Sequence, residues 1–337
     1  MNNLKKIAAL LLAGAVTVGS VVSAFAFTDM PGGEMGIAIE NAVNNGLLTG
    51  YDDDTVKPYE PITRAQMSAI IVRAFGATEK SDSTFKDVAQ DAWYKEAVDK
   101  AVYMGAFKGD DNGNFNPENN ITFQETYAVL ARVFQFESRV TSGGVAVMKP
   151  ADNCLDVFSD KGKIASWAVD YAAALVYNGG YTGIDGLLKP TESVSRGEFA
   201  MIMDQLVSLY IDEEGTYTTG FGNGTVVVRC GGVTIDGLET DRNLILSYGI
   251  DKKTEVKNSK VGKCLVVYGG TDKTPVDVGG KLRADESYIS IEANMYDCRI
   301  ISPYSEVAIK VLNEDPSEVY INPTYFDSTV INFGFMQ

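Results

Sequence analysis

One short unit recurs three times in this sequence of 337 residues, and the recurrence restricts the folds open to the chain. Each copy opens with an aromatic residue and an acid, continues with two glycines four positions apart, and reaches a Ser or Thr 12 or 13 positions after the second glycine. Units repeated in this way fold by packing on their neighbours. The openings and glycine pairs are Phe27-Thr28-Asp29 with Gly46 and Gly50, Phe85-Lys86-Asp87 with Gly105 and Gly109, and Phe158-Ser159-Asp160 with Gly179 and Gly183.

The spacing of apolar residues predicts that each unit is a helix, a loop and a second helix. Ala97, Val98, Ala101 and Val102 form one apolar helical face ahead of a glycine pair. The second helix of each copy starts with S/T-x-x-E/Q, the capping box, in which a hydroxyl and an acid or amide satisfy exposed backbone donors. The three boxes are Thr63 to Gln66, Thr122 to Glu125 and Ser195 to Glu198.

Arginine follows the capping residue in two of the three copies, although capping does not require it. Arg64 and Arg196 place a guanidinium beside the positive end of a helix dipole, which costs some stability. A solvated surface charge is the alternative interpretation. Because the two arginines occupy matching positions, we expect them to bind an anion or a carboxylate.

These motifs resemble S-layer homology repeats, and the starts of the second helices resemble the Thr-Arg-Ala-Glu motif of that family. The resemblance covers residues 27–210, with copies at about 27–76, 85–136 and 158–210. It implies a three-pronged, pseudo-symmetric helical domain whose grooves between repeats bind secondary cell-wall polymer non-covalently. In the family the usual polymer carries pyruvylated amino sugars, whose ketal carboxylate meets the motif Arg.

The sequence departs from the family pattern at three positions. Gln66 stands where the family has Glu, Glu34 stands where the other copies have Trp, and Phe123 stands at the Arg position of copy two, whose groove we expect to be degenerate. Trp93 and Trp167 are either sugar-facing or core residues, and we favour the core because a Trp that starts an amphipathic helix is mostly buried. The candidate ligand residues are therefore Arg64, Arg196, Thr63, Ser195, Gln66, Glu198, Trp93 and Trp167.

The N-terminal segment, residues 1–26, is typical of a secretory signal peptide. Lys5 and Lys6 precede the apolar run of residues 7–22, and Ala24-Phe25-Ala26 forms a small-x-small cleavage site. An uncleaved N-terminal anchor is the alternative. We expect a secreted protein at the wall or surface layer of a bacterium, without a membrane segment after signal cleavage.

Residues 211–337 change to short β-branched runs separated by Gly, Asn and Asp, which predicts an all-β domain. Cys230, Cys264 and Cys298 follow one another at a constant interval of 34 positions, and a column of small apolar residues is how stacked coils fill their interior. We therefore expect a short parallel β-solenoid, with a β-sandwich as the alternative. Solenoids often follow S-layer homology repeats, so the resemblance points the same way.

The amino-acid composition disfavours or excludes several classes of partner, catalytic site and metal site. A net charge of -16 disfavours nucleic acid or anionic lipid as a partner, and the absence of histidine excludes Ser-His and Cys-His nucleophile pairs and His-ligated zinc. Residues 110–121 fail the EF-hand pattern, because Phe115 and Ile121 occupy the positions that require Gly and Glu. We predict neither a metal nor a cofactor.

The leading hypothesis is a non-enzymatic protein whose repeats bind secondary cell-wall polysaccharide while the β-domain faces outward as a structural or interaction module, meeting other copies or other surface proteins. The alternative is a wall-anchored polysaccharide-active enzyme, a glycoside hydrolase or lyase, with carboxylates at Asp236, Glu239 and Asp241. We favour an acidic turn between strands as the explanation of these three residues, because turns prefer them. An adhesin is a third possibility that no sequence feature tests.

Overall fold

The computed structural model describes residues 27–140, 146–268, 289–300, 307–311 and 320–321, with side chains for 27–138 and 148–268. The expected signal peptide lies outside the described residues. Within them, every helix is too short or too polar to cross a lipid bilayer.

The helical part contains two helices from each repeat, as the apolar spacing predicts. The first helix of each copy packs beside the second helix of the preceding copy in a closed cycle, so that α3 meets α2, α5 meets α4, and α1 meets α6. The last helix of the cycle thus returns to the first. The helices are α1 Gly33–Asn44, α2 Arg64–Phe75, α3 Lys95–Tyr103, α4 Phe123–Val133, α5 Val169–Ala174, which continues as a π-helical turn over Leu175–Gly179, and α6 Arg196–Leu206.

The second glycine of each pair is required by the opening aromatic residue of its own copy. A Cβ atom on Gly50 would lie 2.2 Å from the Phe27 ring, and one on Gly109 would lie 2.4 Å from the Phe85 ring. Both contacts are far closer than carbon atoms can approach. The repeated aromatic and the repeated glycine are therefore one packing unit, which explains why the sequence keeps both.

A short antiparallel hairpin lies between the second and third copies. Its strands are β1 Arg139–Val140 and β2 Ala146–Val147.

The chain passes directly from α6 into a parallel β-solenoid of about three turns over residues 207–267. Every strand pair from β3 to β12 is parallel, which confirms the solenoid and excludes the antiparallel sandwich for the described strands. The strands are β3 Val207–Ile211, β4 Gly215–Tyr217, β5 Thr225–Val228, β6 Val233–Asp236, β7 Glu239–Thr240, β8 Leu244–Leu246, β9 Thr254–Val267, β10 Ile289–Ile300, β11 Val307–Val311 and β12 Tyr320–Ile321.

The solenoid is built from parallel ladders, each forming one side of the coil. The order β3, β5, β8 and the end of β9 makes the first side, and β4, β6 and the start of β9 make the second. Val226 pairs with Leu244, and Leu244 pairs with Leu265. Successive coils therefore advance along the sequence by 18 and then 21 positions.

The predicted cysteine column is wrong, although the fold it supported is present. The constant interval between the cysteines matches neither one coil nor two of the observed coils. Cys230 lies two positions after β5, whereas Cys264 lies within β9 and is in register with Asp297 rather than with Cys298. The three cysteines thus occupy different positions along the coil.

Candidate functional site

All three capping boxes form as the sequence predicts, with the hydroxyl and the acid or amide bonded reciprocally to backbone N–H groups. The first two backbone N–H groups of α2, α4 and α6 donate to carbonyl groups in the loop of the following copy. The N–H groups of Arg64 and Ala65 donate to Asn119 and Pro117, and those of Arg196 and Gly197 donate to Glu60 and Pro58. Phe123 and Gln124 bond in the same way to Glu192 and Pro190. The start of each of these helices is thus hydrogen-bonded to the next repeat. We call each of these three contacts between repeats a joint.

The repeated acid at the opening of each copy holds the loop that forms these joints. The Asp87 carboxylate accepts the N–H groups of Phe115 at 2.7 Å and Asn116 at 2.7 Å. Asp29 and Asp160 repeat this two-bond clamp in their own copies. Sequence reasoning noted these acids without assigning them a role.

Arg64 lies across the joint between the first and second copies. Its Nε donates to the Phe115 carbonyl at 2.9 Å and its Nη2 to the Lys108 carbonyl at 3.3 Å. Its Nη1 lies 3.8 Å from Oε1 of Glu125, the capping acid of the next copy. Burial lowers the pKa of Arg64, and the charge of Glu125 opposes this shift. The charge at this joint is therefore balanced within the protein.

Arg196 occupies the equivalent place between the third and first copies. Its Nε donates to the Val56 carbonyl at 2.7 Å and its Nη2 to the Thr49 carbonyl at 2.6 Å, and the side chain is buried. The capping residue of the next copy is Gln66 here, and among the described residues no carboxylate oxygen lies within 4.0 Å of the guanidinium. Burial lowers the pKa of Arg196, as expected for a cation removed from water. Within the described part of the chain, this joint thus holds a buried cation with no carboxylate in ion-pair contact, although the charges of Glu60 and Asp29 act at longer range against the shift.

Two residues near Arg196 were missed as candidates by the sequence analysis. The guanidinium lies over the Tyr51 ring at 4.9 Å, and the Nζ of Lys57 lies over the same ring at 4.1 Å. Lys57 also lies 3.9 Å from a carboxylate oxygen of Glu60. The Lys-Pro pair that contains Lys57 could have signalled this site, because Lys189-Pro190 matches it in copy three.

The joint between the second and third copies compensates its charges differently. Phe123 replaces Arg, and Lys189 lies 6.0 Å from the centre of its ring. Lys189 Nζ donates to Glu198 at 2.9 Å. Burial acts to raise the pKa of Glu198, but hydrogen bonds from Lys189 and Ser195 outweigh it and leave that pKa below its ordinary value. Glu198 is thus already neutralised by a neighbouring lysine.

The two tryptophans are exposed, so the expectation that they belong to the core is wrong. The exposed fraction is 67% for Trp93 and 51% for Trp167. Each ring precedes the first helix of its copy, and Trp167 lines a space of about 460 Å³. Both rings are thus accessible from solvent.

Glu34 replaces Trp in the groove between α1 and α6. A space of about 540 Å³ opens there, lined by residues of the first and third copies. Arg196 extends from the same helix start toward Val56 and Thr49 instead of lining this space. The lining residues that carry charge or a predicted role are Glu34, Asp185, Lys189, Ser195 and Glu198.

The three carboxylates proposed for an enzyme do not share a cleft in the described part of the chain. Asp236 accepts the amide of Asn258 at 2.7 Å, and Asp241 accepts that of Asn223 at 3.4 Å. Glu239 is exposed, and none of the three lines a described cavity. Asp236 is the last residue of β6, Glu239 the first of β7, and Asp241 follows β7, so the three acids stand at strand ends.

Comparison with known proteins agrees with the helical architecture. The model of the S-layer homology domain matches residues 26–68, 84–126 and 157–200, the three copies in their observed order. The chain therefore contains three S-layer homology repeats.

The relatives include proteins of bacterial surface layers. S-layer protein EA1 of Bacillus anthracis is 25% identical over 93% of this chain and 35% of its own length, and the S-layer protein of Bacillus licheniformis is 26% identical over 93% and 34%. The surface-layer 125 kDa protein of Lysinibacillus sphaericus is 26% identical over 50% of this chain and 14% of its own length. The chain thus spans about a third or less of these relatives. Together with the repeats, the matches indicate a secreted cell-surface protein that is attached to the wall.

Proposed function

We propose that the three repeats attach this protein to the wall by binding an anionic secondary cell-wall polysaccharide, and that Arg196 is the main anion contact. The observation that carries the proposal is the buried Arg196 guanidinium, which no carboxylate of the described side chains contacts. Glu60 and Asp29 act on this cation only through their charges at longer range, and a buried cation without a contacting carboxylate is costly, so a ligand carboxylate at this point would gain a strong, charge-assisted interaction.

The internal comparison of the three joints supports Arg196 over Arg64. Glu125 balances Arg64, and Lys189 balances Glu198 at the joint that lacks an arginine. Only the Arg196 joint, among the three, has an amide in place of the capping acid. Lys57 adds a second cation over the Tyr51 ring. The expected ligand group is the ketal carboxylate of a pyruvylated amino sugar, as the family resemblance implies, with the exposed Trp93 and Trp167 as surfaces for sugar rings.

The proposed role is structural and needs no catalytic step, with the solenoid as a structural or interaction module at the cell surface. Relatives of this chain also include an amylopullulanase of Thermoanaerobacterium thermosulfurigenes, but the match covers 49% of this chain and only 8% of that protein. The similarity to an enzyme is therefore limited to a small part of its length.

The test is sedimentation of the purified protein with isolated cell-wall sacculi, before and after acid removal of the wall polymer. Arg196→Gln and Arg64→Gln form a matched pair, because each removes a guanidinium that bridges to the next repeat by two hydrogen bonds. We expect binding to require the polymer, to fall at least about tenfold in Arg196→Gln and to change little in Arg64→Gln. Equal binding by both variants would contradict the assignment of Arg196.

A second variant tests the same site without removing a hydrogen bond donor of the arginine. Gln66→Glu gives the first copy the capping acid of the second, where Glu125 lies near Arg64. We expect the new carboxylate to compete with the ligand for Arg196 and weaken sedimentation, while the capping box and the fold are retained. Unchanged binding in a folded Gln66→Glu protein would show that the anion does not reach Arg196.

A further inference from the structure

The first side of the solenoid is apolar on both of its faces. Val226, Leu244 and Leu265 point into the solenoid core, whereas the adjacent Val227 and Ile245 belong to the core of the helical part. Each of these side chains is fully buried. A sheet that alternates in this way and is buried on both faces cannot lose one covering layer without exposing a continuous apolar surface.

Polar side chains on this outer face bond to the ends of the helices. Asn243 Nδ2 donates to the Phe134 carbonyl at 2.8 Å, at the end of α4, while its Oδ1 accepts the N–H of Cys264 at 3.0 Å. The Tyr268 hydroxyl donates to the Val133 carbonyl at 2.8 Å. Both carbonyls belong to the second repeat. The last carbonyl groups of a helix have no hydrogen-bond partner within the helix, so these donors satisfy acceptors that would otherwise be unpaired.

The same pattern extends to the first and third repeats. Ser247 Oγ donates to the Phe75 carbonyl at 2.5 Å, at the end of α2. The Arg229 guanidinium donates to the Asn45 carbonyl at 2.9 Å, just after α1. Arg242 Nη1 donates to the Tyr177 carbonyl at 3.1 Å in the third copy. Positive charge near a helix C-terminus is also favourable to the helix dipole.

We propose that the repeats and the first coils of the solenoid, residues 27–268, fold as one cooperative body; that this body is the wall-attachment unit rests on the function proposed above. One solenoid side chain or more caps the C-terminal ends in each of the three repeats, and the two parts share one apolar core. The strand β3 starts at Val207, directly after α6 ends at Leu206, so no linker separates the parts. The boundary expected at residue 210 therefore falls inside a folding unit, and the solenoid leaves the wall in a fixed direction.

The test follows unfolding of the full chain by two probes. Tryptophan fluorescence reports the repeats alone, because Trp93 and Trp167 are the two tryptophans of the sequence. Hydrogen exchange of amides in β5 and β8 reports the solenoid. We expect both probes to give the same denaturation midpoint, as a single cooperative unit requires. Separate midpoints, with the solenoid strands opening while the fluorescence stays native, would overturn the proposal.

A pair of asparagine variants tests the interface directly. Asn243→Ala removes a buried bridge to α4, whereas Asn223→Ala removes an exposed hydrogen bond within the solenoid. We expect Asn243→Ala to speed amide exchange at the end of α4 and in β8 together by about tenfold or more, and Asn223→Ala to leave α4 unchanged. Faster exchange in β8 without any change in α4 would contradict a shared unit. If Asn243→Ala does not fold, the two-probe comparison of the unaltered chain decides the question.

Discussion

The carboxylate that opens each repeat holds a sharp turn before a proline. Lys57, Asn116 and Lys189 all have positive φ, at 50°, 58° and 48°, and each directly precedes Pro. The two N–H groups that donate to the Asp help to fix this unusual backbone, which then meets the next repeat. One side chain per copy thereby positions the joint between copies.

We predict that Asp87→Ala lowers the free energy of unfolding by about 3 kcal/mol, because two backbone N–H groups lose a charged acceptor. Urea denaturation measures the change. Asp111→Ala, which removes an exposed acid in the adjacent loop, is the control and should change stability by less than about 0.5 kcal/mol. Equal losses in the two variants would mean that the clamp contributes nothing.

We predict that Gly50→Ala destabilises the protein by about 1 to 3 kcal/mol, since the new methyl group would collide with the Phe27 ring. Phe27→Ala in the same chain should relieve the collision, so that the double variant loses less than the two single losses combined. Thermal denaturation measures both. Gly162→Ala is the control, because a Cβ there meets no atom within 4 Å. Strict additivity would argue against the packing unit.

Sequence reasoning identified the residues of the joints better than their roles. The capping boxes follow from a local pattern, because each bond joins residues three positions apart. The partners of Arg64 and Arg196 lie 44 to 147 positions away, so no local pattern reveals them. The prediction that the tryptophans are buried was wrong. A Trp at the start of an amphipathic helix is usually buried, but in the closed cycle of helices this position is exposed to solvent.

At the scale of elements, the loop before α6 is joined to that helix by an ion pair. Lys189 and Glu198 are both mostly buried and lie 2.9 Å apart. Burial acts to lower the pKa of Lys189 and to raise that of Glu198, but the mutual hydrogen bond reverses both shifts. The pair therefore stabilises the folded chain between the acid and alkaline limits set by these two groups.

We predict that part of the stability is lost as the pH falls below about 4.5, through the lowered folded-state pKa of Glu198. A carboxyl group with a depressed pKa contributes its full stabilisation above its unfolded pKa and loses it on protonation. Glu198→Gln should therefore flatten the dependence of unfolding free energy on pH between about 3 and 5, measured by urea denaturation. Glu79→Gln, an exposed control, should keep the original slope. An unaltered slope in Glu198→Gln would refute the prediction.

The solenoid was predictable as an element type but not as a partner of the helices. Short β-branched runs separated by turn residues indicate parallel coils. The cysteine spacing wrongly suggested a stacked column, because the coils differ in length, with 18 and then 21 positions, instead of repeating at a constant interval. The runs Thr225–Val228 and Leu244–Leu246 are apolar without alternation, which is the sequence sign of a sheet covered on both faces. The apolar pattern does not reveal that the helices of the repeats bury the outer face of this sheet.

At the scale of the whole molecule, charge opposes the proposed ligand. The chain carries a net charge of -16, and an anionic polymer would be repelled until it reaches the buried cation. Added salt screens this long-range repulsion, while the buried contact is screened much less.

We predict that the association rate with sacculi rises as NaCl is increased from about 0.01 to 0.15 M, because the Debye length shrinks from about 30 to 8 Å. Surface-immobilised sacculi and optical detection of binding would measure the rate. Arg64→Gln should show the same salt dependence, since this arginine is balanced by Glu125. A steep fall in rate with salt would instead indicate an exposed basic surface as the contact.

The closed cycle of repeats also has a consequence for export. A secreted chain that emerges with its N-terminus first presents the Val56 loop long before Arg196, which lies 140 positions further along. The first repeat cannot complete its joint until the third has crossed the membrane, and the helix ends wait longer still for Asn243 and Tyr268. Closing contacts between such distant residues makes folding late and slow. We therefore expect the contacts that close the cycle of repeats to form only after residues 27–268 are outside the cell.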